Sequence, residues 1–190
     1  MSHHSFNNRV AVDLAHSYLL LNHGPVTLVT SAHGGQADVM AASWAMPLDF
    51  SPAKVVVVMD SNTLTCELVN ASGEFGLQIP MRKIAAQTVA VGSESGRTVD
   101  KFTKFNLATF AAQKIQAPML EDCAAWLECK VIPDASDRFD IMIAEVVAAY
   151  ANASVYSDNR WHFGDDPLIE PCIMWLMDNS LPQVKLLRFS

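Results

Sequence analysis

No apolar run in this 190-residue chain approaches the roughly 20 residues that a membrane-spanning helix needs; the valine stretch from Val55 to Met59 is far too short. The N-terminus, with His3, His4 and Asn7 ahead of Arg9, has no apolar signal core, so a cytoplasmic address is the expectation. Cysteine is scarce too. Cys66, Cys123, Cys129 and Cys172 show no CxxC spacing, which removes the usual zinc and thioredoxin-type motifs and leaves buried, reduced thiols as the expectation. Charged residues are only 17% of the chain, and their balance is −7 with no basic run, so neither nucleic acid nor a membrane surface is an expected partner.

Missing motifs remove further chemistries. No G-x-G-x-x-G follows a strand-like run, which excludes the Rossmann route to nicotinamide binding. Ser43 lies in no G-x-S-x-G elbow, and Asp13, Asp38 and Asp49 have no evident His partner, so nucleophilic hydrolysis has no support. The histidines (3, 4, 16, 23, 33 and 162) never recur at i, i+4, and no metal is expected. The acidic pair Glu121-Asp122 reads as a turn.

What remains is an apolar chain, 51% hydrophobic, with no repeat and no linker, read as one domain over 1–190. Its organising stretch runs from Ala37 to Met46. This follows a β-type run, Val26 to Ser31, across a His-Gly-Gly turn at 33–35, and so reads as the second arm of a hairpin. Ala41, Ala42, Ser43 and Ala45 are small enough to leave the main chain uncovered for a flat ligand, with Trp44 the one large ring among them. A tightly crossing barrel strand would use the same small residues.

Elsewhere, residues 9–22 have helical periodicity and end at Gly24-Pro25. A strand is expected over 54–60, a capped helix over 64–71 stopping at Gly73, and an alternating strand over 74–79. In that strand Phe75, Leu77 and Ile79 face one way and Glu74, Gly76 and Gln78 the other. A helix over 81–91, a flexible stretch at 93–98 and a helical turn or two over 99–105 come next. Strands over 126–132, 139–150, 173–177 and 184–189 complete the pattern, which suggests a small, closed or nearly closed antiparallel barrel.

Two polar clusters stand out. Ser61-Asn62-Thr63-Leu64-Thr65 lies at a helix start, where free amides and hydroxyls suit a phosphate but serve equally as an ordinary N-cap. Arg97, Lys101 and Lys104 gather positive charge that would welcome an anion, or would form a solvated helix face.

Four stretches together, ProValThrLeuValThrSer (25–31), AspValMetAlaAlaSerTrpAlaMetPro (38–47), SerGlyGluPheGlyLeuGlnIlePro (72–80) and ValAspLysPheThrLysPheAsnLeu (99–107), resemble the successive signatures of the flavin reductase-like family. That family includes flavoredoxin and the reductase components of two-component flavin monooxygenases, and the resemblance covers about residues 17–150. It implies a mainly β fold, the FMN-binding split barrel, antiparallel and Greek-key in type with short flanking helices. It also implies FMN as cofactor, with FAD as an alternative, and NADH or NADPH as co-substrate. Ala42, Ser43, Trp44, Ala45 and Met46 would pass along the isoalloxazine ring, and Gln78 and Ile79 would lie against the ring or ribityl chain. Ser61, Thr63 and Thr65 would take the phosphate, with Arg97 and Lys101 closing over it. No catalytic side chain is demanded, because hydride can pass directly between stacked nicotinamide and flavin rings. A homodimer is implied, passing electrons to free flavin or to a partner such as a monooxygenase. The alternatives are an FMN-binding electron-transfer or storage module without a nicotinamide site, and a non-catalytic split-barrel relative.

Overall fold

The computed structural model describes residues 25–133, 139–162, 165–166, 168 and 170–172. The expected helix over 9–22 and strands over 173–177 and 184–189 lie outside them. Strands β1 (Thr27–His33) and β2 (Gln36–Ala42) pair antiparallel in the expected hairpin. Gly34 and Gly35 turn it with φ of 59° and 81°, a left-handed pair that suits a two-residue connection. The second arm is shorter than its sequence suggests. It stops at Ala42, and after Ser43-Trp44 a separate strand, β3 (Ala45–Phe50), runs through Pro47 and pairs with β4 (Ala53–Val58).

That break shapes the molecule. With β5 (Glu74–Pro80), β8 (Cys123–Val131) and β9 (Ile141–Ala151), these strands form one seven-stranded sheet in the order β2-β1-β5-β8-β9-β4-β3. Consecutive strands β2 and β3 therefore sit at opposite edges of the sheet. Laid flat, six inter-strand spacings of about 4.8 Å would hold those edges roughly 29 Å apart. Three Cα steps from Ala42 to Ala45 reach only about 11 Å. The sheet must curl until its edges meet at Ser43-Trp44, and the result is a split barrel with a Greek-key-type strand order.

Side-chain alternation then makes two cores. Inside the curl lie Val29, Val55, Val57, Phe75, Leu77, Cys129 and Ala144, closed by Cys66 and Val69 of helix α1 (Leu64–Ser72). Helix α1 begins and ends on local signals: Thr63 accepts a hydrogen bond from the Cys66 amide, and Gly73 closes it with φ 72°. On the outer face Leu28, Val39 and Trp126 pack under Ile84, Val91 of α2 (Ala85–Ser93), and Ile115, Met119 and Leu120 from the connection after α3 (Lys101–Lys104). That connection carries only a short pair, β6 (Thr109–Ala111) and β7 (Pro118–Leu120). A further short hairpin, β10 (Tyr156–Ser157) with β11 (Arg160–Trp161), follows β9.

Because both faces are covered, β5 does not divide into a wet and a dry side. Gly76 and Gln78 are as buried as Phe75 and Leu77. Buried polar groups hold the outer layer on: Gln78 Oε1 accepts from the Leu120 amide at 2.6 Å, and both Glu128 oxygens accept from the amides of Gln113 and Lys114 at 2.8 and 2.5 Å. Tyr150 donates its hydroxyl to Glu128 at 3.0 Å, and burial followed by that bond pushes the phenol's pKa up.

All four cysteines are buried and free. Burial pushes the Cys129 thiol up to about 12 and that of Cys172 up to about 11, so neither is a reactive thiolate at neutral pH. Among the described residues no helix is long and apolar enough to cross a membrane.

At Gly76, β5 lies tight against Thr30 of β1 and Met119 of the outer layer. A Cβ there would stand 2.6 Å from Thr30 Oγ1 and 2.7 Å from Met119 Sδ. Thr30 cannot turn away without losing its bond from Gln78 Nε2. Gly76→Ala is expected to lower unfolding stability by about 1–3 kcal/mol, read as a lower midpoint in denaturant titration; an unchanged midpoint would mean that this contact yields freely.

Candidate functional site

The loop from β4 into α1 is built by its own side chains. Asp60 Oδ1 accepts from the Asn62 amide and from Asn62 Nδ2, both at 2.9 Å, and these bonds hold the Asp60 carboxyl below the usual carboxylate range. Thr63 donates its hydroxyl to Asp60 O at 2.7 Å and accepts from the Cys66 amide at 3.2 Å. The N-cap reading of this loop is therefore realised, and Thr63's hydroxyl proton is spent on it. Ser61 stays exposed, at the edge of a cavity of about 490 Å³ that Met59, Cys66, Asn70 and Asp140 also line.

The corner between the sheet edges lies beside this loop. Trp44 O accepts from the Val58 amide at 2.9 Å, and Ser61 follows Val58 by three residues. Ala42 packs in the inner core with Cys66 and Val69 of α1, whereas Trp44 and Met46 are exposed. Ser43 and Ala45 are partly buried. Of the expected ring-lining residues, Ala42 thus packs with Cys66 in the first turn of α1, and Trp44 is tied by its carbonyl to the strand that leads into that helix, whose free amides and dipole favour an anion.

Thr65 and Lys101 are placed differently from what the resemblance implies. Thr65 is fully buried and donates its hydroxyl to Asp38 Oδ2 at 2.7 Å. Lys101 Nζ lies 3.3 Å from Asp38 Oδ1 and donates to Val39 O at 2.7 Å, with the two charged side chains only 4% and 3% exposed. The loop before α3 presses on the same carboxylate, since a Cβ on Gly96 would collide with Asp38 Oδ1. Asp38 is thus a buried junction of β2, α1 and the segment leading into α3. Neither Thr65 nor Lys101 presents its polar group to an outside phosphate.

Arg97, unlike Lys101, stays accessible. Its Nη1 is 2.8 Å from Glu67 Oε2, in the first turn of α1, with the two side chains about half exposed. It also borders a cavity of about 520 Å³ formed by Gly35, Gln36, Ala37, Gly96, Thr98 and Phe102. Gln78 and Ile79 do not join this group: Gln78 is enclosed on the outer face, and Ile79 packs with Met81, Ala124 and Val155. Lys104 pairs with Glu94 at 2.5 Å. No group of three or more His, Cys, Asp or Glu among the described residues is arranged to hold a metal.

Asp38 and Glu67 are the residues that the sequence alone left without a role. Strand parity offers one signal: Asp38 shares a face with Met40 and Ala42, so an inward carboxylate must find a cation. Glu67 has no comparable signal, because an acid in a first helical turn is explained by the dipole alone.

A curled antiparallel sheet, plugged by a helix whose N-terminus abuts the small-residue corner, is the FMN-binding type of split barrel. Residues 20–171 match the "Flavin reductase like domain" model, and the chain belongs to that family. It is 40% identical to the uncharacterized protein YddH of Escherichia coli K12 over 164 residues, 84% of this chain and 87% of that one. Among solved structures it is similar to an FMN-binding domain of a flavin reductase-like enzyme from Shewanella baltica, at 39% identity and TM-score 0.71, covering 81% of this chain and 82% of the other. A flavoredoxin from Methanosarcina acetivorans is 26% identical with a TM-score of 0.67, covering 73% and 74% of the two chains.

The buried pair makes a stability prediction. Lys101→Met leaves Asp38's carboxylate buried without a cation and is expected to cost about 3–5 kcal/mol. Adding Asp38→Asn to that variant should recover most of the loss, because it removes the stranded charge. Denaturant unfolding of the three chains measures this, and strictly additive losses would show that the two side chains do not interact.

Proposed function

We propose that this protein is a cytoplasmic FMN-binding flavoprotein, a reductase that takes a hydride from NADH or NADPH and passes the electrons to free flavin or to a partner such as a monooxygenase. The observation that carries this reading is the seating of α1's N-terminus beside the small-residue corner. The donor set suits such a ligand. Ser61's hydroxyl, the first turn of α1 and the Arg97 guanidinium can meet a phosphate, while the small side chains of Ala42, Ser43 and Ala45 would let a flat ring approach the main chain. FMN, when bound, supplies the two-electron chemistry itself.

In this reading the chain's own residues bind and orient. Ser61 and Arg97 would hold the phosphate end, and residues 42–46 would lie along the ring. Thr65 and Lys101 act one step back, fixing α1 and the Arg97 segment to β2 through Asp38. Gln78 and Ile79 stiffen the sheet behind the site. FAD, the alternative cofactor, would use the same phosphate end.

A homodimer belongs to the proposal. Edge strand β3 presents Met46, Leu48 and Phe50 to solvent, Phe50 at 93% exposure, which is an apolar edge that a second copy would cover. Phe50→Glu is expected to shift the protein toward monomer in sedimentation velocity; a wild-type chain that is already monomeric at micromolar concentration removes this part.

The central test is spectroscopic and kinetic. FMN added to the purified protein should show shifted oxidised-flavin bands, and NADH or NADPH should then be consumed with flavin present. If FMN binds, another donor reduces it and neither nicotinamide is oxidised, the chain is an electron-transfer module and not a reductase. Unshifted FMN that washes away returns the chain to the non-catalytic split-barrel reading.

A further inference from the structure

Each cation that reaches the first turn of α1 arrives already paired with a carboxylate. Arg97 is held by Glu67, and Lys101 is held by Asp38, whose second oxygen takes the Thr65 hydroxyl. A third carboxylate, Asp60, sits at the helix start under two hydrogen bonds from Asn62. With Asp140, which lines the cavity beside Ser61 and Cys66, two cations against four carboxylates leave this mouth two units negative. A flavin phosphate would bring close to two more negative charges, and the helix end offsets only about half a charge.

We propose that Glu67, with Asp38 behind it, holds this chain's affinity for phosphate down, so that flavin mononucleotide enters and leaves as an exchanging substrate and is not retained as a resident group. The proposal rests on the reading of α1's first turn as the phosphate holder. The physical step is competition. An incoming phosphate must share Arg97 with Glu67 or displace it, and Glu67 is about half exposed, so displacement needs no unfolding. Asp38 acts on the same balance from inside, because Lys101's charge is spent on it and little of it reaches the mouth. What is left for the ligand is hydroxyl and amide donation, which binds flavin without trapping it.

The test uses the full chain with FMN and riboflavin, which share the ring and differ in the phosphate. Affinities come from flavin fluorescence titration and release rates from stopped flow. Wild type should prefer FMN, yet lose it on desalting. Glu67→Gln should lower the FMN Kd and release rate roughly three- to tenfold, leave riboflavin unchanged, and lose its advantage as salt rises. Glu67→Ala reports the same lost charge should Glu67→Gln fold poorly.

Unchanged FMN affinity in both variants, or an equal gain for riboflavin, overturns the role of Glu67 while wild type still prefers FMN. FMN that stays with the wild-type chain through desalting overturns the exchange. Equal wild-type affinity for FMN and riboflavin instead overturns the phosphate-site reading on which the proposal stands.

Discussion

Two residues, Ser43 and Trp44, join the outermost strands of a seven-stranded sheet, and most of the architecture follows from that constraint. Edges that must lie within a few Cα steps of each other cannot belong to a flat sheet, so the strands curl and enclose an interior. An enclosed interior needs apolar residues on one face of every strand, which Val29, Val55, Val57, Phe75 and Leu77 provide. Its open end needs a plug, and α1 supplies it by laying Cys66 and Val69 against those side chains. The helix that closes the core therefore has its first turn at the corner that closes the sheet. A packing requirement has placed a helix N-terminus beside that corner.

The second constraint is electrostatic. Taking Asp38 and Lys101 out of water costs several kcal/mol per charge, by order of magnitude, and their attraction repays it only with good geometry and further hydrogen bonds. Thr65 and the Val39 carbonyl provide those bonds. Because the four groups come from β2, α1 and α3, satisfying the charges also fixes three elements relative to one another. Burying apolar residues in their place could stabilise the fold equally, but it would not select one register among these elements so sharply.

Local features were legible in the sequence; features set by distant partners were not. Thr63 and Gly73 mark the ends of α1 within a few residues of themselves, and the Gly34-Gly35 turn likewise carries its own signal. The break at Ser43 has no such mark, because small residues continue through it. Only pairing with β4, which the sequence does not display, separates Ala42 from Ala45. Lys101 shows the same limit: beside Arg97 and Lys104 it resembles a solvated face, yet its Val39 partner is 62 residues away. For Gln78 the alternation gave the correct direction and the wrong environment, since the layer that buries it has almost no regular structure to betray it. The four family signatures identified the family and its fold because they report on long-range arrangement that periodicity cannot reach.

That irregular layer also explains how the site is kept in place. Between α3 and β8 the chain has few strand or helix bonds of its own, and its amides would be stranded over an apolar sheet. Glu74, Gln78 and Glu128 reach up from the sheet and accept them at Gln116, Leu120, Gln113 and Lys114. Glu128 is buried with no cation paired to it among the described residues, and two amides and a phenol satisfy it instead. The sheet thus clamps the connection on the C-terminal side of α3, while Asp38 clamps Lys101 within it. Held from both sides, the segment that carries Arg97 has little freedom to drift from Glu67 and the first turn of α1. The position of the Arg97 guanidinium is therefore set by polar groups on the far face of the sheet as much as by those beside it.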